Sequence, residues 1–337
     1  MLERPVDEAR VARVLASLDT RARAGQLLLA YPQLDKTAPV EVGGVVFVGN
    51  LLRKPEQAKA RIDWSKANAK VPPFFAIDME GGPSNRMKRV KEVADLPSAK
   101  EMASLSDVEV WQWGARVGLA MREVGLNLNL APVLDAAGTG HMARNMRSFG
   151  ADKTLVAKKA KAYAKGLLEQ GVMPFGKHFP GYGDIEGDSD HALVTIDWSN
   201  ARVLEEISVF AEARDVLGGV MLANVVYPAL EDVPAILSPV VVREAHALGF
   251  VTMTDDVSIQ LLADSIGGTG EDVLVKAFLA GNDLLLTTAP PDWNKGLDYL
   301  GILTRTAEAS PANRALLDES CARVLRLKDR MGLLEGR

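Results

Sequence analysis

Short apolar runs recur along the chain: QLLLAY (26–31), GGVVFVG (43–49), PFFAID (73–78), LNLNLAPVLD (126–135), VMPFGKH (172–178), GGVMLAN (218–224), GFVTMTD (249–255) and NDLLLTT (282–288). Most are continuous rather than alternating, the pattern of parallel strands buried on both faces. Between several of them the apolar positions take the spacing of amphipathic helices, as in 107–125, 153–171 and 200–218. These stretches end at Gly125, Gly171 and Gly218, each suited to the left-handed cap that closes a helix. Eight strands alternating with helices predict a (β/α)8 TIM-type barrel, an α/β fold taking residues 1–337 as a single domain. An open doubly wound sheet is the main rival, but it carries a glycine-rich turn after an early strand, and no GxGxxG stands there. QLLLAY has a second reading, as the end of a helix beginning near Ser17. The stretch 312–334, ANRALLDESCARVLRLKDRMGLL, reads as a closing helix.

Polar groups stand directly after the apolar runs: Asp78, Asp135, Lys177 with His178, Asn224 and Asp255. In a barrel the C-terminal strand ends converge on one face, and that face carries the active site. Helix capping explains one or two such residues, not all of them. Carboxylates converging with a lysine, a histidine and Arg147 suit a neutral, hydroxyl-rich ligand gripped by charge-assisted hydrogen bonds. GGTG at 267–270 precedes a helix, where a phosphate would sit, but it reads more simply as a turn. A net charge of −5 without a basic run argues against a nucleic-acid or anionic-membrane surface. No apolar run approaches the length of a membrane span, and the N-terminal segment lacks a stretch of signal-peptide length, so the expectation is a cytoplasmic protein. The single cysteine, Cys321, rules out an intramolecular disulfide and is read as packed.

At these residues the chain resembles glycoside hydrolase family 3, in particular its single-barrel bacterial β-N-acetylglucosaminidases of cell-wall recycling. GGVVFVGN (43–50) is similar to the family's early GG-hydrophobic-N strand, and AIDMEGGPSNRM (76–87) to its D-Q-E-G-G-R-V-x-R segment. LNLNLAPVLD, NMRSFG (145–150), KHFPGYGD (177–184), the AILSP…LGFVTMTDD run and AGNDLLL have counterparts in the same order. The resemblance implies a retaining exo-β-N-acetylglucosaminidase with no metal or organic cofactor. It implies Asp255 as the catalytic nucleophile, and Asp78, Arg147, Lys177 and His178 as the residues that hold the sugar's hydroxyls. A small saccharide containing N-acetylglucosamine, from cell-wall fragments, is the implied substrate, with no nucleic-acid or membrane partner and action as a monomer. A retaining glycosidase needs a carboxylate below the anomeric carbon and a proton donor above it. Asp255 stands first in TDD, and Asp256 is expected to cap the helix VSIQLLADSI.

In these relatives the donor is a histidine paired with an aspartate, in the pattern K-H-F-P-G-H-G-D-T-x-x-D-S-H; the carboxylate orients the imidazole and raises its basicity. This chain follows the pattern through Asp188 and Ser189, then places Asp190 where the histidine belongs and His191 one residue later. Three readings stay open. The loop bulges and His191 works with Asp188; or Asp190 is itself the acid, its pKa raised by burial or nearby anions; or the donor is absent and the barrel binds sugar without cutting it. A β-glucosidase-like preference is a further alternative, and Lys177 as a Schiff-base lysine a more distant one that leaves Asp255 unexplained. Asp184, Glu186, Asp188 and Asp190 alternate as in a calcium loop, but Ser189 and Thr195 stand where the glycine and closing glutamate belong, so no metal is expected. Pro83, Tyr182 and Asn224 also depart from the family's arginine and two histidines. Tyr182 suits either stacking on a sugar face or plain packing. His141 and His246 receive no role.

Overall fold

The computed structural model describes residues 4–31, 41–48, 54–288 and 298–337. Eight parallel strands form the central sheet: β1 Leu28–Ala30, β2 Gly44–Phe47, β3 Phe74–Ile77, β4 Leu128–Asn129, β5 Met173–Phe179, β6 Gly219–Leu222, β7 Val251–Thr254 and β8 Leu285–Leu286. They pair in chain order from β1 to β7, and β8 returns to β1. A parallel bridge between Met253 and Leu284 brings β7 and β8 together, so the sheet closes into the expected TIM-type barrel. Gly49 and Asn50, at the end of the second apolar run, lie outside the described residues. Both readings of QLLLAY hold in part, because a helix Thr20–Gln26 ends inside it and β1 starts at Leu28.

The continuous apolar runs have a direct cause. Leu29, Val46, Phe74, Ala76, Leu128, Phe175, Met221 and Met253 share one buried cluster within the ring. Their strand neighbours, such as Leu28, Val45, Phe75 and Ile77, join the larger cluster under the helices. Both faces of β1, β2 and β3 are therefore apolar. The closing helix Pro311–Arg330 adds Val324 and Leu327 to the inner cluster. Cys321, on the same helix, lies fully buried in the larger cluster, and burial pushes its thiol up to about 12, so it is packed as expected. Among the described residues no helix is long and apolar enough to cross a membrane.

Gly125 and Gly171 take left-handed backbones after the helices Asp107–Val124 and Lys153–Glu169. Gly218 does not close a helix. Asn200–Ala213 stops earlier, and Gly218 leads into β6, where a Cβ would meet Met173 Sδ at 2.5 Å. GGTG is the simple turn it resembled, with Thr269 capping the helix Gly270–Leu279 and Asp272 returning the bond. The helices 107–124 and 153–169 touch at their backbones: a Cβ on Gly166 would fall 2.2 Å from the Trp111 carbonyl oxygen, and one on Gly114 2.1 Å from that of Tyr163. Overpacking of this kind costs about 1–3 kcal/mol or more. Gly166→Val is therefore expected to lower the melting temperature by roughly 5 °C, read by scanning calorimetry.

Candidate active site

The C-terminal strand ends open on a cleft of about 390 Å³. On one side of it lies a charged network. Lys177, near the end of β5, holds its Nζ 2.6 Å from Asp78 Oδ1 and 2.6 Å from Glu80 Oε1. Arg147 grips Glu80 with both prongs, Nε to Oε2 at 2.7 Å and Nη2 to Oε1 at 2.9 Å. Burial alone would push the Glu80 carboxyl up, but Arg147 and Lys177 outweigh it and hold the group far below the usual carboxylate range. Burial likewise pulls Lys177 down, and Asp78 with Glu80 more than restores it, so the ammonium stays charged. A Schiff-base lysine needs the neutral amine, so this geometry opposes that reading.

His178 directly follows Lys177, yet both face the cleft. A regular strand would send them to opposite sides, but the register of β5 against β6 shifts between Lys177 and Phe179. His178 Nδ1 lies 2.7 Å from Asp135 Oδ2, while Asp135 Oδ1 accepts the backbone N–H groups of His178 and Tyr182. The carboxylate selects the Nδ1–H tautomer and leaves Nε2 toward Arg147, 3.4 Å from its Nη2. Asp135 is itself wholly buried, and Asn224 is buried with its amide 3.5 Å from the Asp256 carbonyl oxygen. The strand-end residues thus divide. Asp78, Lys177, His178 and Asp255 line the cleft, whereas Asp135 and Asn224 stand behind it, contrary to a pocket shared by all of them.

Asp255 follows β7 and faces the cleft, its Oδ1 accepting the Asp256 N–H at 2.8 Å. Burial pushes its carboxyl up to about 6; His178 pulls it down and Asp190 pushes it further up. Asp256 does not cap the following helix. Its Oδ1 accepts from the Ser258 N–H and hydroxyl, and its Oδ2 accepts the Thr288 hydroxyl, which ties the loop after β7 to the end of β8. A turn intervenes before the helix Gln260–Ser265, whose cap position is Ile259 with no side-chain bond.

The loops after β4 and β5 are joined into one wall. Asp184 Oδ1 accepts the N–H groups of Gly138 and Thr139, the His141 N–H donates to the Ile185 carbonyl, and Arg144 pairs with Glu186. Asp184 and Glu186 are therefore engaged within the wall rather than arranged around a cation. Tyr182 is buried; its hydroxyl donates to the Gly187 carbonyl at 2.8 Å and accepts the Ser189 N–H at 3.0 Å, pinning the DSDH segment. Asp188 and Asp190 line the cleft. The His191 side chain is 83 % exposed, its Nε2 3.9 Å from Asp188 Oδ2, and it does not line the cleft.

Residues 26–327 match the glycosyl hydrolase family 3 N-terminal domain. The chain belongs to glycosyl hydrolase family 3. It is 30% identical over 278 residues to a β-hexosaminidase of Idiomarina loihiensis, covering 78% of this chain and 81% of that one. A β-hexosaminidase A of Pseudoalteromonas piscicida is 26% identical across 94% of this chain but 55% of its own, so the chain spans about half the length of that relative. Among solved structures, a β-N-acetylhexosaminidase from Beutenbergia cavernae superposes with a TM-score of 0.80 at 28% identity, over 92% of this chain and 98% of that one.

In this family 3 barrel, three ionisable cleft residues received no role from the sequence: Glu80, Arg86 and His141. Glu80 carried a usable signal, since it stands two residues after Asp78 and extended backbone turns such a pair to one side. Arg86 sits at the rim, exposed. Nothing local marks His141, whose position depends on the joining of two loops far apart in the chain.

Proposed function

We propose that the chain is a retaining exo-β-N-acetylglucosaminidase that releases terminal β-linked N-acetylglucosamine from cell-wall muropeptide fragments, acting as a cytoplasmic, single-domain monomer. The observation that carries this reading is Asp255, a recessed carboxyl at the end of β7 in the same cleft as the Asp78–Lys177–Glu80–Arg147–His178 network. The β-hexosaminidase relatives supply the sugar. Asp78 accepts from sugar hydroxyls, Lys177 and Arg147 donate to them, and His178 offers Nε2 from a ring fixed by Asp135. Asp255 attacks the anomeric carbon as the glycosidic bond breaks, and water then releases the sugar with retained configuration. Asp188 and Asp190 place acid groups on the DSDH side of the cleft, while His191 points to solvent.

The nucleophile must be ionised, and its carboxyl titrates near 6. Hydrolysis of p-nitrophenyl N-acetyl-β-glucosaminide is expected to gain kcat/KM as pH rises through about 6. Preference for the β-glucoside, or an acid limb near pH 4, would contradict this reading. A barrel that binds without cutting draws its support from the outward His191, and measurable turnover removes it.

A further inference from the structure

We propose that His141, carried by the loop after β4, is the proton donor of this cleft, with Asp188 as its carboxylate partner; the assignment rests on the glycosidase reading above. Two histidines lie near Asp188. His141 Nδ1 is 4.0 Å and His191 Nε2 3.9 Å from the same Asp188 Oδ2. Their surroundings separate them. The His141 side chain is 13 % exposed and lines the cleft, whereas His191 is 83 % exposed and does not. A donor must reach the glycosidic oxygen inside the cleft, which His141 satisfies by position.

The wall that carries His141 is built to hold it. Its own N–H is bonded to Ile185 at 2.7 Å, and the neighbouring Gly138 and Thr139 are bonded to Asp184, so the loop bearing the imidazole is fastened to the loop bearing Asp188. The Tyr182 ring lies 6.2 Å away, centroid to centroid, and the Asn145 amide lies 3.4 Å from each ring nitrogen. The charges facing the imidazole are Asp188 and Asp190, which favour its protonation, and Arg147 and Arg144, which oppose it. Burial is the largest influence and sets the group below the ordinary imidazole value.

In the first step Asp255 bonds to the anomeric carbon, the glycosidic C–O bond breaks, and the imidazolium proton passes to the leaving oxygen. In the second, the neutral imidazole takes a proton from water as that water's oxygen displaces Asp255. Atoms and charge return to the starting state.

The test compares His141→Ala with the wild type on two N-acetyl-β-glucosaminides, one with a sugar and one with 2,4-dinitrophenol as leaving group. The first needs a proton and the second does not. The variant is expected to lose roughly 10²–10⁴-fold in kcat/KM on the sugar aglycone and less than about tenfold on the dinitrophenyl glycoside. Added azide, which needs no general base, is expected to speed the variant and give the β-glycosyl azide. Asp188→Asn removes a charge that favours the protonated ring, so the alkaline limb of kcat/KM should move to lower pH, a change that a packing role would not produce. Equal loss on both substrates without azide rescue overturns the proposal. So does the same signature in His191→Ala or Asp190→Asn while His141→Ala loses less than about threefold. A wild type inert on every N-acetylglucosaminide removes the glycosidase reading itself, and this assignment with it.

Discussion

Asp255→Asn is expected to lower kcat on p-nitrophenyl N-acetyl-β-glucosaminide by roughly four orders of magnitude while making the protein more heat-stable above pH 6. Both halves follow from one carboxyl. The amide cannot form the glycosyl ester, so the two-step route closes. In the fold, burial raises the group from an ordinary 3.8 to about 6. Below pH 3.8 folded and unfolded chains both carry the proton, and the residue is neutral to stability. Between the two values the unfolded chain releases it first, so stability falls with rising pH and stays reduced above about 6. Asparagine removes that penalty. The gain in melting temperature over the wild type should be near zero at pH 4, grow to pH 6 and then level off. Residual turnover above about 1 % of wild type would argue against Asp255 as nucleophile, and a gain equally large at pH 4 against the burial argument.

Glu80→Ala is expected to cost about 3–5 kcal/mol of stability, because it leaves the buried Lys177 and the partly buried Arg147 with less than their compensating charge. Lys177 would keep only Asp78, and Arg147 would lose both of its hydrogen bonds to carboxylate. A drop of about 5–10 °C in melting temperature at neutral pH follows. Because the Glu80 carboxyl is held low, its stabilisation is complete above the ordinary carboxylate value of 4.5 and is lost as pH falls. The variant's deficit should therefore be full at pH 7. KM should rise as well, since the groups that Glu80 holds are those placed to grip the sugar. A variant as stable as wild type, with an unchanged KM, would show that the network is not held from Glu80.

Much of this was legible in the chain. Parallel barrel strands are buried on both faces, so GVVF, FFAI and GVML announce themselves as unbroken apolar runs, and the barrel rule then places Asp78, Lys177, His178 and Asp255 at one face. The failures share a physical cause. Asp135 and Asn224 end apolar runs just as Asp255 does, but their side chains bond backwards to His178 and toward Asp256. Asp256 sits ahead of a helical stretch, yet an intervening turn directs it to Thr288, a partner remote in sequence. The DSDH segment was ambiguous by one residue, and its orientation is set by the Tyr182 hydroxyl and by contacts with 138–144. Local pattern reports which residues lie near a strand end; it does not report which way loops from different strands turn one another.

The most direct test of the central claim is to trap the glycosyl-enzyme with a 5-fluoro-N-acetyl-β-glucosaminyl fluoride. Its ring fluorine slows both steps and its leaving group favours the first. Intact-mass analysis is expected to show the protein heavier by one fluorinated sugar, with the modified peptide carrying the ester on Asp255. Turnover with retained configuration but no adduct would instead give the nucleophile's role to the substrate's own acetamido oxygen. An adduct on any other carboxylate would contradict the account outright.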